Sequence, residues 1–596
     1  MKVSDYIAKQ LHAFGVRKVF MLTGGGAMHL NDSIGNFPKF DIMYNHHEQA
    51  CAMAAESYGR LTNFPALLNV TTGPGGINAL NGVFGAWTDS IPMIVVSGQV
   101  RYDTTMDFSH SSLRQMGDQE VDIISMVKKI TKYSKMIKNP EDIPKELHKA
   151  FKISVTGRKG PVWIDVPVNV QGAIIKNPKI LKPPKIAVMD KSSSKNISTV
   201  LKEIKNAKRP SVLVGNGIRF SDSISLLKKF ISKVKIPVLT AWNAHDIIEE
   251  NFKYYFGRPG TVGDRPGNLI LQNSDLLIVL GSRLNIRQIG YNWEAFARES
   301  KIIMVDIDQN ELEKHTLSID YPIHDDLKSF LSRILKSELK GFKEKSDWIS
   351  YCKDVKKKYP VFNPDYKKSK KVNPYYFMHE LSHALKENQV IVSADGTACV
   401  SAFQEIKIKK GQRLYTNSGC ASMGYELPAS IGAWQHDKKE IICIAGDGSI
   451  MMNIQELITI ARNNMNIKIF ILNNDGYHSI RQTQNNFFNR QVGCGPDSNL
   501  FFPEFSKISN SHDIEYFAIK QSKETKKIIN KVLKKNNAVI CEVFIDKNQE
   551  FAPKVSSFRD KDGKIYSRPL EDQAPFLDRD ELKELMYISL TEESKK

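Results

Sequence analysis

The chain has 596 residues, 41% of them apolar, enough for about three or four separately cored domains. Its 84 Lys and Arg against 65 Asp and Glu give a net charge of +19, but the lysines are scattered, with only short clusters at 356–358 and 367–371. No nucleic-acid-binding motif accompanies them, so attraction of small anionic substrates is the expected use of the charge rather than a nucleic-acid partner. No segment approaches a membrane span, the start Met1-Lys2-Val3-Ser4-Asp5 lacks the apolar core of a signal peptide, and the seven cysteines form neither a metal pair nor a disulfide framework. A cytoplasmic enzyme is the expectation.

Three blocks separate by composition: residues 1–180, 190–340 and 372–548, with a tail over 549–596. The Lys-, Pro- and Ser-rich stretch 182–195 and the charged stretch 340–371 read as linkers. Each block alternates strand-like apolar runs with helical spacing, which predicts α/β architecture with doubly wound parallel sheets. In the first block, Tyr44-Asn45-His46-His47-Glu48-Gln49-Ala50 ends a strand-like run and opens an Ala-rich helix through Arg60. That puts the Glu48 carboxylate at a helix start, where a negative charge suits the dipole and where a solvated residue is equally at home. His46 and His47 are adjacent, do not share a helix face and are not expected to hold a metal.

The middle block carries Ser211-Val212-Leu213-Val214-Gly215-Asn216-Gly217, then Leu276 to Leu280 before Gly281-Ser282-Arg283, then Ile302 to Asp308. These strand and turn signals suggest a nucleotide-binding-like domain, although Gly215-Asn216-Gly217 lacks the third glycine of the dinucleotide fingerprint. In the third block, Val390-Ile391-Val392 leads to Asp395-Gly396-Thr397, and Ile441 to Ile444 leads to Ala445-Gly446-Asp447-Gly448-Ser449. A helix predicted over Met451 to Asn464 separates the latter from Ile467 to Leu472 and Asn473-Asn474-Asp475-Gly476. Asp447 and Asn474 are 27 residues apart and, in a strand–helix–strand unit, reach the same sheet edge. Hard oxygen donors in small number suit Mg²⁺, which takes its remaining oxygens from water and phosphate. Gly446, Gly448 and Ser449 at the following helix start suit a diphosphate.

Thr23-Gly24-Gly25-Gly26-Ala27, His47-Glu48-Gln49-Ala50, Thr72-Gly73-Pro74-Gly75-Gly76, Ile91-Pro92 with Gly98-Gln99-Val100, and Met423-Gly424-Tyr425-Glu426-Leu427-Pro428 occur in the order seen in acetolactate synthases. Over nearly its whole length the chain resembles a thiamine-diphosphate enzyme of that type. The resemblance implies pyrimidine-binding, central FAD- or nucleotide-binding-like and diphosphate-binding domains in that order. It implies that the Glu48 carboxyl bonds the cofactor's aminopyrimidine ring and so promotes loss of the thiazolium C2 proton. It makes Gly25, Gly26, Pro74, Asn78, Gly396 and Thr397 cofactor-binding residues, places Met423 beneath the bent cofactor, and has Gly476 give a backbone carbonyl to the metal held by Asp447 and Asn474. Taken alone, Met423 is a core methionine and Asp395-Gly396-Thr397 a plain turn. Arg283, Arg287 and Gly290, followed by Asp306-Ile307-Asp308, resemble the segment that holds FAD, although relatives without flavin keep the same domain.

The implied reaction is decarboxylation of a 2-oxo acid, pyruvate, followed by carboligation to an acceptor carbonyl. Gly117-Asp118-Gln119-Glu120 matches the loop with the family's active-site glutamine, making Gln119 a catalytic candidate. Asp118 stands where these synthases usually have phenylalanine, and Ser479 and Thr483 where they have methionine and tryptophan. A polar acceptor pocket leaves room for a nucleotide-linked keto sugar and a branched-chain sugar product; simple decarboxylation, acyl-CoA lyase chemistry and a non-catalytic relative are the other readings. In the family the first domain of one subunit faces the third of another, which implies a homodimer or homotetramer. The tail reads either as a lid over the site or as a surface extension.

Overall fold

The computed structural model describes residues 1–110, 112–339, 341–559, 563 and 565–595. Apolar runs that end in glycine-bearing turns become the inner strands of three parallel sheets, and burial on both faces explains their near-continuous apolar character. The first sheet contains β1 (Lys18–Met21), β2 (Asp41–Tyr44), β3 (Ala66–Val70), β4 (Met93–Gln99), β5 (Tyr133–Met136) and β6 (Pro161–Pro167), in the order β2-β1-β3-β4-β6-β5. The second contains β7 (Pro210–Val214), β8 (Val238–Thr240), β9 (Leu276–Leu280), β10 (Lys301–Asp306) and β11 (Tyr321–His324), in the order β11-β10-β9-β7-β8. The third contains β12 (Val390–Ser393), β13 (Arg413–Tyr415), β14 (Ile441–Gly446), β15 (Ile467–Asn473), β16 (Glu515–Ile519) and β17 (Val539–Phe544), in the order β13-β12-β14-β15-β17-β16. All three are doubly wound. The strand order reverses between β1 and β3, between β7 and β9, and between β12 and β14. In open α/β sheets the crevice beyond the carboxyl ends of the strands at such a reversal is where ligands bind.

The first and third domains share one core. Cys51 to Ala55, on the helix Glu48–Thr62, join Leu427, Ala429 and Ile431 on the helix Glu426–Asp437 in it. Ser57 Oγ bonds both Tyr415 Oη and Ala429 O at 2.7 Å, and Tyr425 Oη donates to Glu56 Oε2 at 2.6 Å. Glu56 also pairs with Arg60, whose guanidinium reaches Asp89 at 2.6 Å. This is a buried ion cluster at the junction of the two domains.

Two expectations need correction. Within the 340–371 stretch, read as a linker, Ser346–Lys358 is a helix; Trp348, Ile349, Cys352 and Val355 line its buried face against the middle core, a stripe that the surrounding lysines obscure in the sequence. The helix expected over Met451 to Asn464 is broken into Asp447–Ile450, a 3₁₀ turn Met451–Asn453 and Glu456–Arg462. The 3₁₀ turn brings Asn453 round to Gly424, where its Nδ2 donates to Gly424 O at 2.9 Å. The tail docks on the middle domain, with Leu570 and Leu582 in that domain's core, Gln272 Nε2 bonding Glu571 at 2.7 Å and Arg265 bonding Pro575 O at 2.6 Å. Among the described residues no helix is long and apolar enough to cross a membrane.

Candidate active site

The turn after β14 and the turn after β15 meet on the third sheet's carboxyl edge. Asp447 is 1% exposed. Its Oδ1 accepts from Gly448 N at 2.9 Å, and its Oδ2 accepts from Asn474 N at 3.1 Å and Gly476 N at 3.0 Å. Asn474 Nδ2 stands 3.4 Å from Asp447 Oδ1, while Asn474 Oδ1 is buried with no hydrogen-bond partner. A carboxylate beside an unused amide oxygen is a donor set that suits a hard divalent cation. Burial lifts Asp447 to about 7 against the opposing pull of the backbone N–H groups, and a cation there would favour the ionised form. Gly476 has φ +145°, and a methyl group on it would stand 2.0 Å from Cys494 O, so the turn accepts only glycine. Arg481, which sequence reasoning passed over, braces this turn by donating to Asn474 O at 3.2 Å and Asp475 O at 2.9 Å.

Ser449 joins this turn to the Met423 loop. Its Oγ donates to Glu426 Oε2 and accepts from Gly424 N, both at 2.9 Å. Gly424 is thus clamped through its N–H by Ser449 and through its carbonyl by Asn453, which leaves the Met423 side chain 39% exposed beside the Gly446–Ser449 turn. Glu426 is fully buried and burial pushes it up to about 8. Gly396, φ +74°, opens the helix Thr397–Glu405, placing the Asp395-Gly396-Thr397 turn at the β12/β14 reversal. Thr397 Oγ1 is engaged with His478 Nδ1 at 2.9 Å, so its hydroxyl faces the β15 side; burial and the nearby Arg481 charge lower His478 to about 4. Ser479 Oγ lies 3.9 Å from where a Gly396 side chain would begin.

The first sheet gathers the other candidates on its own carboxyl edge. Gly25 and Gly26 form a 3₁₀ turn after β1, with Gly26 O accepting from Gln171 Nε2 at 2.7 Å. His47 caps the helix that Glu48 begins, its Nδ1 accepting from Gln49 N at 3.0 Å, so this histidine is structural. Glu48 is 8% exposed, and its Oε2 accepts from Asn78 Nδ2 at 3.0 Å. Asn78 is on the helix Pro74–Thr88, whose first position is Pro74. Gly73, just before it, approaches Gln119 so closely that a methyl group on it would stand 2.3 Å from Gln119 O. Gln119 itself is exposed, at φ +65°. Glu48, Pro74, Asn78 and Gln119 are therefore brought together. Among the described residues no hydrogen bond or ion pair joins Glu48 or Asn78 to Asp447 or Asn474 of the same chain.

A cleft opens at the β7/β9 reversal and is lined by Gly215, Trp242, Arg283, Arg287 and Asp306. The Arg287 guanidinium lies 4.9 Å over the Trp242 ring, which stacks on Phe403 at 4.7 Å. Arg287 Nε, Trp242 Nε1 and Asn216 Oδ1 are buried without partners, and burial raises Asp306 to about 6. Asp308 turns away, pairing with Arg158 of the first domain at 2.9 Å.

Three family models match this layout. The N-terminal TPP binding domain of thiamine pyrophosphate enzymes matches residues 1–126, the central domain 197–334 and the C-terminal TPP binding domain 395–543. The chain is 30% identical over 560 residues to the acetolactate synthase large subunit of Cyanidium caldarium, covering 91% of this chain and 92% of that one. The chain belongs to the thiamine pyrophosphate enzymes. It is likewise 30% identical over 563 residues to a probable acetolactate synthase large subunit of Methanocaldococcus jannaschii, covering 92% of each. With the Lactococcus lactis acetolactate synthase large subunit it shares 28% identity over 558 residues, 93% of this chain and 94% of the relative. This is a thiamine-diphosphate-dependent enzyme of the acetolactate synthase type.

Proposed function

We propose that the enzyme decarboxylates pyruvate and joins the remaining two-carbon unit to an acceptor carbonyl, with Mg²⁺ held by Asp447, Asn474 Oδ1 and the Gly476 carbonyl, and with FAD in the middle cleft. The observation that carries this reading is the buried Asp447 carboxylate beside the unpartnered Asn474 Oδ1, at the switch-point edge that Gly446, Gly448, Ser449 and Gly396 also line. When bound, thiamine diphosphate supplies the nucleophilic carbon that adds to the 2-oxo group and lets CO₂ leave. Glu48, oriented by Asn78, holds the proton that moves to and from the aminopyrimidine ring. Met423, fixed by Ser449 and Asn453 on either side of Gly424, is the apolar bed on which the cofactor rests. Gln119 presents its amide to the acceptor. In the cleft, Arg283 and Arg287 suit a diphosphate and Asp306 a ribose hydroxyl.

The assembly we propose is a homodimer or homotetramer in the cytoplasm. Glu48 and Asp447 belong to separate clusters within one chain, and Met28, Ile77, Phe84, Met423 and Met452 are large apolar side chains left exposed, as a face for a second copy requires. A second reading, transfer to a nucleotide-linked keto sugar, is favoured by Ser479, whose hydroxyl borders Gly396 and offers a sugar hydroxyl a partner. Mass spectrometry of products from pyruvate, thiamine diphosphate and Mg²⁺, with and without FAD and such sugars, tests both readings. Acetolactate from pyruvate alone supports the first; ligation only when a sugar is added supports the second; no CO₂ release in any mixture overturns both.

A further inference from the structure

The Gln119 loop is tied to itself more than to the sheet. Glu120 accepts from Met106 N at 2.7 Å, Met116 N at 3.1 Å and Gly117 N at 3.2 Å, all within the segment that runs from β4 towards β5. Besides Tyr102 N, which donates to Asn169 Oδ1 at 2.9 Å, and Asp107, which pairs with Lys138 at 2.5 Å, the loop's buried anchor to the body of the domain is Gln99, the last residue of β4 and 1% exposed. Gln99 Oε1 accepts from Thr72 Oγ1 at 2.7 Å and Val100 N at 3.0 Å. Gln99 Nε2 donates to Val121 O at 3.0 Å and Asp165 Oδ2 at 3.1 Å. Both donors and both acceptor sites of the amide are used, and its orientation is set, since a flipped amide would face the Val100 N–H with another N–H. Asp165, 0% exposed on β6, takes Ser97 Oγ on its other oxygen at 2.5 Å, and Ser97 Oγ accepts from Trp163 Nε1 at 2.8 Å.

We propose that Gln99, held by Asp165, is a positioning residue that fixes the Gln119 loop against the Thr72–Asn78 segment and so sets where the acceptor stands relative to Glu48. The consequence for the reaction rests on the site reading above; the tether itself does not. The chemistry is complementary: Thr72 immediately precedes the Gly73-Pro74 turn that leads to Asn78, and Val121 follows Gln119 by two residues, so one amide grips both segments next to their working ends. Replacing Asp165 by its amide keeps the bond to Gln99, because the amide oxygen still accepts from Gln99 Nε2, and reverses the contact to Ser97, the amide N–H donating to Ser97 Oγ in place of the lost Ser97 O–H bond. A leucine there can do neither.

The test uses the full chain, free of cofactor, with Gln99→Leu, Asp165→Asn and Asp165→Leu, and follows tryptic cleavage after the exposed Arg114. Gln99→Leu is expected to speed that cut by up to about tenfold, the effect of losing a hydrogen bond that anchors the loop, with Asp165→Leu close to it and Asp165→Asn close to the wild type. In turnover, Gln99→Leu is expected to raise the acceptor KM more than it lowers the kcat of decarboxylation. Equal cleavage rates and equal KM in Gln99→Leu and wild type, or an Asp165→Asn variant as damaged as Asp165→Leu, would overturn the proposal. Should the leucine variants not fold, Gln99→Glu, which keeps the size and removes both donors, decides the same question. If the wild type fails to bind thiamine diphosphate, the site reading falls while the cleavage rates still judge the tether.

Discussion

Glu48 shows how much a single residue's meaning depends on its company. By itself it is a first-turn acid; with Asn78 at 3.0 Å, and in a chain that belongs to the thiamine pyrophosphate enzymes, it is the carboxyl we propose exchanges a proton with the cofactor. Glu48→Gln is expected to leave the melting temperature within a few degrees of the wild type and to lower kcat by about 10²–10⁴-fold, the usual worth of a positioned proton carrier, as read from steady-state CO₂ release. Unchanged turnover would remove the role. Asp165 gives a pH test. Burial raises it from 3.8 to about 7, so the native state binds its proton more tightly than the unfolded chain. The stability this contributes is fully present below about pH 3.8 and is lost as pH rises through about 7. Melting of the cofactor-free protein is therefore expected to fall across that window, and Asp165→Asn to flatten the slope; an unchanged slope would contradict it. The places of Glu48 at a helix start and of Asp447 and Asn474 at strand-end turns were legible in the sequence because each follows an apolar run. The bonds of Gln99, Glu426, His478 and Arg481 were not, because their partners, such as Val121 O, Ser449 Oγ, Thr397 Oγ1 and Asn474 O, come together only in the folded chain.

At the scale of elements, the strands were read from their apolar runs, and the sheets that contain them place the turn after β12 beside the turn after β14. Helices were harder. Ser346–Lys358 hides its buried stripe among lysines, and the segment after Asp447 breaks where a regular spacing of apolar residues promised one continuous helix. That break does something: it carries Asn453 to Gly424 and leaves Met452 Cβ 2.5 Å from where a Gly424 side chain would begin, at φ +78°. Gly424→Ala is expected to cost about 1–3 kcal/mol of stability and to weaken thiamine diphosphate binding as the Met423 loop shifts, measured by denaturant melts and calorimetry. A variant with unaltered binding would show that the clamp does not matter to the cofactor. The junction between the first and third domains gives a second test. Arg60 serves two buried carboxylates, Glu56 and Asp89, so Arg60→Met is expected to destabilise by about 3–5 kcal/mol, and a loss below about 1 kcal/mol would show that the cluster is readily re-solvated.

The whole molecule repeats one device three times: a doubly wound parallel sheet whose strand reversal opens a crevice edged by turns such as Gly25-Gly26, Gly215 and Gly396. In the function proposed above, the first and third crevices carry the two halves of a cofactor site, yet nothing within one chain bonds Glu48 to the Asp447 turn among the described residues. In the proposed assembly, a second copy laid against the exposed Ile77 and Phe84 face completes the site. Ile77→Asp with Phe84→Asp is accordingly expected to give a folded monomer with under about one hundredth of wild-type activity, by sedimentation and turnover; an active monomer would show that one chain suffices. The order of the three blocks was open to reading because the glycine-marked motifs recur in sequence. The docking of the tail on the middle domain was not, because the partners of Leu570 and Leu582 come from the middle-domain core and no pattern in the tail itself names them. The central claim, that Asp447 and Asn474 hold a metal bound to the cofactor's diphosphate, is tested most directly by calorimetric titration of thiamine diphosphate into the purified protein with Mg²⁺ and with a chelator. Saturable binding with Mg²⁺ that is lost with chelator and in Asp447→Ala is the expected result; equal affinity in all three titrations would contradict it.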